Sequence, residues 1–359
     1  MGWSWRIATV AGIPVRIHAT FLILLVFIGG ANLLREGPLG AVGGVVFLLA
    51  LFGCVLLHEL GHSLAAMGYG IRVRDITLLP IGGVAQLDRL PDDPKQEVIV
   101  SLAGPLVNVV IAVSLGVGLY LRHLSPWSEV GVWTPSLLRN LLAANVLMAV
   151  FNLLPAFPMD GGRVLRAMLA QRMPYARATR LAATIGQGLA VLLGLFGLFG
   201  NVLLLYVALF VYMGAQSEAA AVQLREDLKG LTVGDVAIPL TESITPGESL
   251  GAVLERFRTG FWGELPVVEE GDLRGVLTHP LLLAAALEYP ADTPVARLLG
   301  PVCPAVSAQD PLESLVMQFR SGQCWALAVM RDGRLAGIVT AEGVGRFLMA
   351  RSSLRSEDR

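Results

Sequence analysis

Charge is what this sequence has least of. Only 15% of its 359 residues are Asp, Glu, Lys or Arg, where a soluble domain averages about a quarter. Hydrophobic residues make up 54% and mean hydropathy is +0.65. That balance excludes a wholly water-soluble chain, and a formal net charge of −1 lacks the basic footprint of a nucleic-acid binder. Cysteine is equally sparse. Cys54, Cys303 and Cys324, an odd number without close spacing, exclude a disulfide framework and a thiolate metal site, and all three are read as small core residues. Also missing is a small-residue cleavage site with a polar region behind it. The first apolar run, preceded only by Arg6 and Arg16, is therefore expected to stay in the membrane.

The few charges are unevenly spread. Residues 1–220 hold 14 Lys+Arg and 10 Asp+Glu, residues 221–359 hold 13 and 18, which divides the chain into a transmembrane domain (1–220) and a soluble module (221–359). A bilayer core takes about 20 apolar residues per helix. Segments near 15–34, 39–66, 98–121, 136–155, 181–199 and 201–219 meet or approach that length. The expected fold is thus a polytopic α-helical membrane protein of about six transmembrane helices with a cytoplasmic α/β tail, the last two spans parted by a turn at Gly200 and Asn201. Orientation follows from Lys and Arg in short loops. With the amino terminus inside, Arg6, Arg16, Arg72, Arg74, Arg89, Lys95, Arg163, Arg166, Arg172, Arg177 and Arg180 lie in the cytoplasm, against Arg35, Arg122 and Arg139 outside. Trp127 and Trp133 in the outer loop suit the headgroup zone.

Near the end of the second span stands HELGH, His58 to His62. Residues four apart share a helix face, so both imidazoles can reach one zinc ion, with Glu59 beside them as general base. Ionisable groups in a span are costly and mark function by default. A catalytic zinc site needs a third protein ligand. Asp160, in NLLPAFPMDGGRVLRAML, is the best candidate: Pro155 and Pro158 should end the fourth span, Gly161 and Gly162 allow tight backbone, and a new helix is expected from Arg163. An aspartate before two glycines also suits a plain turn or helix cap. His18, His123 and His279 have no partner at metal spacing and read as interfacial or surface histidines.

These motifs resemble the site-2 proteases, a family of intramembrane zinc metalloproteases. The resemblance rests on HELGH in a span, LLPIGGVAQL (Leu78 to Leu87), SLAGPLVN (Ser101 to Asn108) and NLLPAFPMDGG (Asn152 to Gly162). It implies one zinc per chain held by His58, His62 and Asp160, Glu59 as catalytic base, and Asn152 as a residue that orients substrate or stabilises the oxyanion. Asn108 matches the family's asparagine in the middle motif and reads equally as a helix-packing residue. Met159 stands where the family more often has Leu, a swap that conserves volume. The substrate implied is a membrane protein cut in or next to its transmembrane segment. Ile71 to Leu87 alternates in part, is interrupted by Gly82 and Gly83, and reads as a hairpin whose edge holds an unwound peptide by strand addition or serves structure alone.

The tail repeats itself. A constant offset of 62 aligns Val233 with Val295, Ile244 with Val306, Leu250 with Leu312, Phe257 with Phe319, Gly275 with Gly337 and Thr278 with Thr340. Each unit, about 231–288 and 293–350, reads strand, helix, strand, glycine turn, strand, helix. The pair resembles tandem CBS (cystathionine-β-synthase) domains, which implies a regulatory or dimerising module and brings in adenine nucleotides as ligands. Nucleotide-binding copies usually carry Asp three residues after the closing Ser/Thr; here those positions are Leu281 and Gly343, and a structural or dimerising role is favoured. Two other functions compete. A CBS-regulated transporter has no use for Glu59, and a membrane metalloprotease of another fold leaves the MDGG run without a role.

Overall fold

The computed structural model describes residues 3–89, 91, 93–121, 137–239, 243–258, 265–299, 305–320 and 326–357; Trp127, Trp133, His123, Cys303 and Cys324 lie outside them, as does the side chain of His279. The chain divides into two compact units, Met1–Gln223 and Leu224–Arg359.

The first unit opens with a hairpin, β1 (Ser4–Val10) and β2 (Ile13–His18), turned by Ala11 and Gly12 at positive φ. The helix after it, α1 (Ala19–Gly68), starts later than the span expected from residue 15, because residues 13–18 pair in a sheet and His18 caps the helix. α1 is two helices joined at Gly37 (φ 76°), followed by Pro38. Proline lacks the N–H for the helix ladder and disfavours helix in its predecessor, and glycine tolerates the left-handed φ. The halves fold back on each other: the Phe21 and Phe52 rings lie 4.5 Å apart, and Asn32 fills the space above Gly44.

This return explains the sheet. β3 (Val73–Leu79) follows α1 and pairs parallel with β2, Val15 opposite Ile76, and β4 (Gly82–Leu87) closes the antiparallel hairpin β3–β4, giving the order β1-β2-β3-β4 with β4 as an edge. The rest is helical: α2 (Pro94–Leu121), α3 (Leu137–Asn152), α4 (Asp160–Ala170), α5 (Tyr175–Leu198) and α6 (Val202–Leu228). Among the described residues α1, α2, α5 and α6 are long and apolar enough to cross a membrane, and α3 is a shorter apolar helix. Their outward side chains, such as Val26, Phe27, Leu34, Val110, Phe196 and Phe210, are apolar, as on helices whose solvent is lipid. α5 and α6 are parted at Gly200 and Asn201, where φ of Gly200 is 149° and the Asn201 Oδ1 accepts from the Leu203 N–H. Cys54 is buried in α1.

In the second unit the offset of 62 recurs element by element. After the one-turn α7 (Val233–Val236) and β5 (Ile238–Pro239), the run α8 (Leu250–Arg258), β6 (Leu265–Glu269), β7 (Asp272–Leu277) and α9 (His279–Glu288) precedes β8 (Val306–Ser307), α10 (Leu312–Arg320), β9 (Ala326–Arg331), β10 (Arg334–Thr340) and α11 (Ala341–Glu357). Two cores form, one around Ile244, Leu250, Val267 and Leu277, the other around Val233, Leu312, Leu327 and Val339. The repeats exchange their leading segments. Val233 donates to Asp310 and β5 pairs with β10 of the second repeat, while Val295 donates to Glu248 of the first.

Candidate metal centre

His58 and His62 stand one turn apart on the second half of α1, and both are buried. Asp160, also buried, is the first residue of α4. The new helix therefore begins at the aspartate, three residues before the expected start at Arg163. Pro155 and Pro158 do end the preceding helix, which stops at Asn152. The glycines serve close packing. A Cβ on Gly161 would lie 2.3 Å from the Leu154 carbonyl oxygen, and one on Gly162 would lie 2.6 Å from the Phe157 nitrogen, so only glycine lets the first turn of α4 rest on the loop that precedes it.

Three ligand atoms converge. The two Nε2 atoms are 3.1 Å apart, and Asp160 Oδ2 lies 3.3 Å from His58 Nε2 and 3.2 Å from His62 Nε2. A tetrahedral zinc ion with bonds of about 2.05 Å sets its ligand atoms about 3.3 Å apart, so the spacing fits. The outer ring nitrogens decide which atoms face inward. His62 Nδ1 meets the Val100 carbonyl at 2.7 Å and must donate to it. His58 Nδ1 meets Asn108 Oδ1 at 2.5 Å, and that amide is oriented by its own Nδ2 donating to Asn145 Oδ1 at 2.9 Å, which in turn anchors on the Leu141 carbonyl. With both protons on Nδ1, the neutral imidazoles turn lone pairs toward a carboxylate oxygen. Three acceptors without a proton between them call for a cation. The wall beside them is bare: a Cβ on Gly104 of α2 would sit 2.2 Å from His62 Nε2 and 2.8 Å from His58 Cε1. Among the described residues this is the cluster of His, Cys, Asp and Glu able to hold a metal ion.

Glu59 is half-buried beside the cluster, and β4 passes directly over it: a Cβ on Gly83 would lie 2.5 Å from Glu59 Cγ. Asn152 ends α3, half-buried, and stands outside the hydrogen-bonded cluster. Asn108 does both things its position allowed, orienting His58 and joining α2 to α3. Sequence reasoning missed Asn145, whose only mark is polarity inside an apolar run, and the Val100 carbonyl, which no side-chain pattern reveals. Nor did it foresee the burial of Arg166: counted among the cytoplasmic charges, Arg166 is fully buried, bonded to Glu97 and Glu218.

The description "Peptidase family M50" matches residues 46–131 and 125–193, and "CBS domain" matches residues 233–288. A zinc metalloprotease of Methanocaldococcus jannaschii is 39% identical over 278 residues, 77% of this chain and 78% of that protein. Rip3 of Mycobacterium tuberculosis is 27% identical over 366 residues, 94% of this chain and 91% of its own. Among solved structures, the site-2 protease of M. jannaschii is 40% identical, with a TM-score of 0.45, covering 60% of this chain and 95% of that one. The chain belongs to peptidase family M50, the site-2 protease family of zinc-dependent membrane metalloproteases, and carries a CBS domain in its tail.

Proposed function

We propose that this protease hydrolyses peptide bonds in or next to the transmembrane segments of other membrane proteins, with His58, His62 and Asp160 as its zinc ligands and Glu59 as its general base. The observation that carries the reading is the convergence of three buried lone pairs where the apolar helix α1 meets the first residue of α4, with an edge strand lying over the neighbouring glutamate. When bound, zinc supplies a Lewis acid for the scissile carbonyl and an acidified water. Glu59 takes the proton and returns it to the leaving amine. A substrate helix must unwind to offer a carbonyl, since its own ladder occupies that oxygen. The edge of β4, unpaired among the described residues, suits the unwound strand, because Gly83 brings that strand against Glu59. Asn152, at the end of α3 and ahead of Asp160 in the chain, orients the substrate or stabilises the oxyanion.

Taken as six crossings, the two halves of α1 with α2, α3, α5 and α6 fit a multi-pass cell-membrane protein with the sheet and the tail in the cytoplasm, the side that the Lys and Arg of the short loops favour. Support comes from the parallel pairing of β2 with β3, which needs an even number of crossings between them. The tail acts as a pair of CBS repeats with a regulatory or dimerising role. Leu281 and Gly343 weigh against an adenine nucleotide.

One substitution separates a ligand from a turn residue. Asp160→Asn should weaken zinc and eliminate cleavage of a membrane-embedded substrate, as chelator does to the wild type, because an amide is a poorer ligand for a dication. Asn serves nearly as well as Asp in a cap, so an active, zinc-replete variant would remove Asp160 from the site.

A further inference from the structure

A second polar cluster lies outside the metal centre. Arg166 of α4 is fully buried. Its Nε and Nη2 donate to Glu97 Oε1 at 2.8 and 2.5 Å, and its Nη1 donates to Glu218 Oε1 of α6. The guanidinium carbon lies 5.1 Å from the ring centroid of Phe157 and 5.0 Å from that of Tyr175. One side chain therefore joins α2, α4 and α6, the loop before Asp160 and the start of α5.

As a stabiliser this cluster is poor. Each buried ion costs several kcal/mol in desolvation, and a buried pair seldom exceeds the packing of apolar residues in its place. Here the guanidinium meets two carboxylates, the buried Glu97 and the partly exposed Glu218, and Glu97 Oε2 and the Tyr175 hydroxyl make no hydrogen bond to the protein. What the cluster supplies instead is direction, since a planar guanidinium binds only along its fork. The elements it joins are those that aim the metal-binding groups. Glu97 lies one turn before Val100, whose carbonyl orients His62, and Asn108, which orients His58, is farther along the same helix. Arg166 shares its helix with Asp160.

We propose that Arg166 is a positioning residue of the metal centre: its fork on Glu97 fixes the helix bearing Asp160 against the helix that aims both imidazoles. The role rests on the assignment of His58, His62 and Asp160 as ligands. Loosening the link lets the carboxylate drift from the imidazole pair while all three ligands remain in the chain.

The test uses full-length protein in detergent or lipid nanodiscs, loaded with zinc or with cobalt(II) as a spectroscopic stand-in. The neutral variant Arg166→Met/Glu97→Gln/Glu218→Gln leaves no stranded charge, and Arg166→Lys keeps the charge but loses the fork. Against a competing chelator, the neutral variant should hold zinc about 10- to 100-fold more weakly, the usual effect of outer groups that orient ligands. Its cobalt(II) absorption should shift away from the wild-type pattern, and kcat should fall with KM unchanged. Arg166→Lys should lie between it and the wild type in all three. A folded neutral variant with wild-type affinity, spectrum and kcat would overturn the proposal. If the neutral variant does not fold, Arg166→Lys decides alone, and wild-type behaviour there also overturns it. Asp160→Ala and His58→Ala are measured beside them. Wild-type metal binding in those two sinks the ligand assignment, whereas their loss of metal with retention in the Arg166 variants sinks only the positioning role.

Discussion

The two units bury different things. Among the described residues, the membrane unit buries His58, His62, Glu97, Asn108, Asn145, Asp160 and Arg166, whereas the buried polar residues of the tail are Thr293 and Thr340. The unit with few charges buries three of them, Glu97, Asp160 and Arg166, and among the described residues the unit rich in charge buries none and pairs them on its surface, as in Arg225–Glu313 and Arg274–Glu269. The difference reflects solvent. Lipid offers polar groups no partners, so the buried ones of the membrane unit collect around one another. Water serves the tail's charges individually, and its interior is left to aliphatic packing.

The sharpest way to break this comparison is to fill the polar centre with carbon. Gly104→Ala sets a methyl group 2.2 Å from His62 Nε2. It should abolish both zinc binding and cleavage while the protein still inserts, as metal analysis of the purified variant will show. Glu59→Gln should lower turnover by about 10²- to 10⁴-fold, the usual range for a general base, yet leave one zinc per chain; wild-type turnover would refute the assigned role. Asn108→Ala removes the partner of His58 Nδ1 and should weaken zinc about 10- to 100-fold, read by chelator competition.

In the tail the expected effect is on folding alone. Leu250 and Leu312 are fully buried at equivalent places in the two cores. The isolated tail is expected to fold by itself, and each change to Ala should destabilise residues 221–359 by about 2 to 5 kcal/mol, with the zinc content of the full chain unchanged. Coupling of either substitution to zinc affinity would end the claim that the units bury their polarity for separate reasons. The smallest effect belongs to Asp235, whose carboxylate accepts from the Thr232 backbone N–H and hydroxyl and is held below its ordinary pKa chiefly by the former bond. A lowered folded-state pKa stabilises above the unfolded value of about 3.9, and that contribution disappears as pH falls through the folded value. At this exposed site it is worth about 0.5 kcal/mol or less. Asp235→Asn should flatten the acid limb of the tail's stability by that amount, measured by urea unfolding between pH 5 and pH 2.

Much of the centre was legible because its logic is local. The i, i+4 spacing puts His58 and His62 on one helix face whatever surrounds them, and Pro155 and Pro158 end a helix through their own rings. The offset of 62 marked the tail for the same reason, since equivalent residues build equivalent elements. Where the helix after MDGG begins was misjudged, because Gly161 and Gly162 suggest a turn by propensity and reveal their packing role only when residues 153–157 lie against them.

By itself the sequence determined that this chain belongs in a membrane, that a zinc-binding motif, HELGH, stands in its apolar part, and that the tail is a repeat; composition and short spacings carry that information because lipid and helix geometry act on each segment separately. Only the tertiary structure decided which nitrogen of each histidine faces Asp160, that Gly83 brings an edge strand onto Glu59, and that Arg166 is buried against Glu97 and Glu218 where the sequence counts it among the cytoplasmic charges. These depend on groups that meet across 38, 50 and 69 residues of chain, where the partner of a polar atom is set by how helices pack and not by its neighbours in sequence.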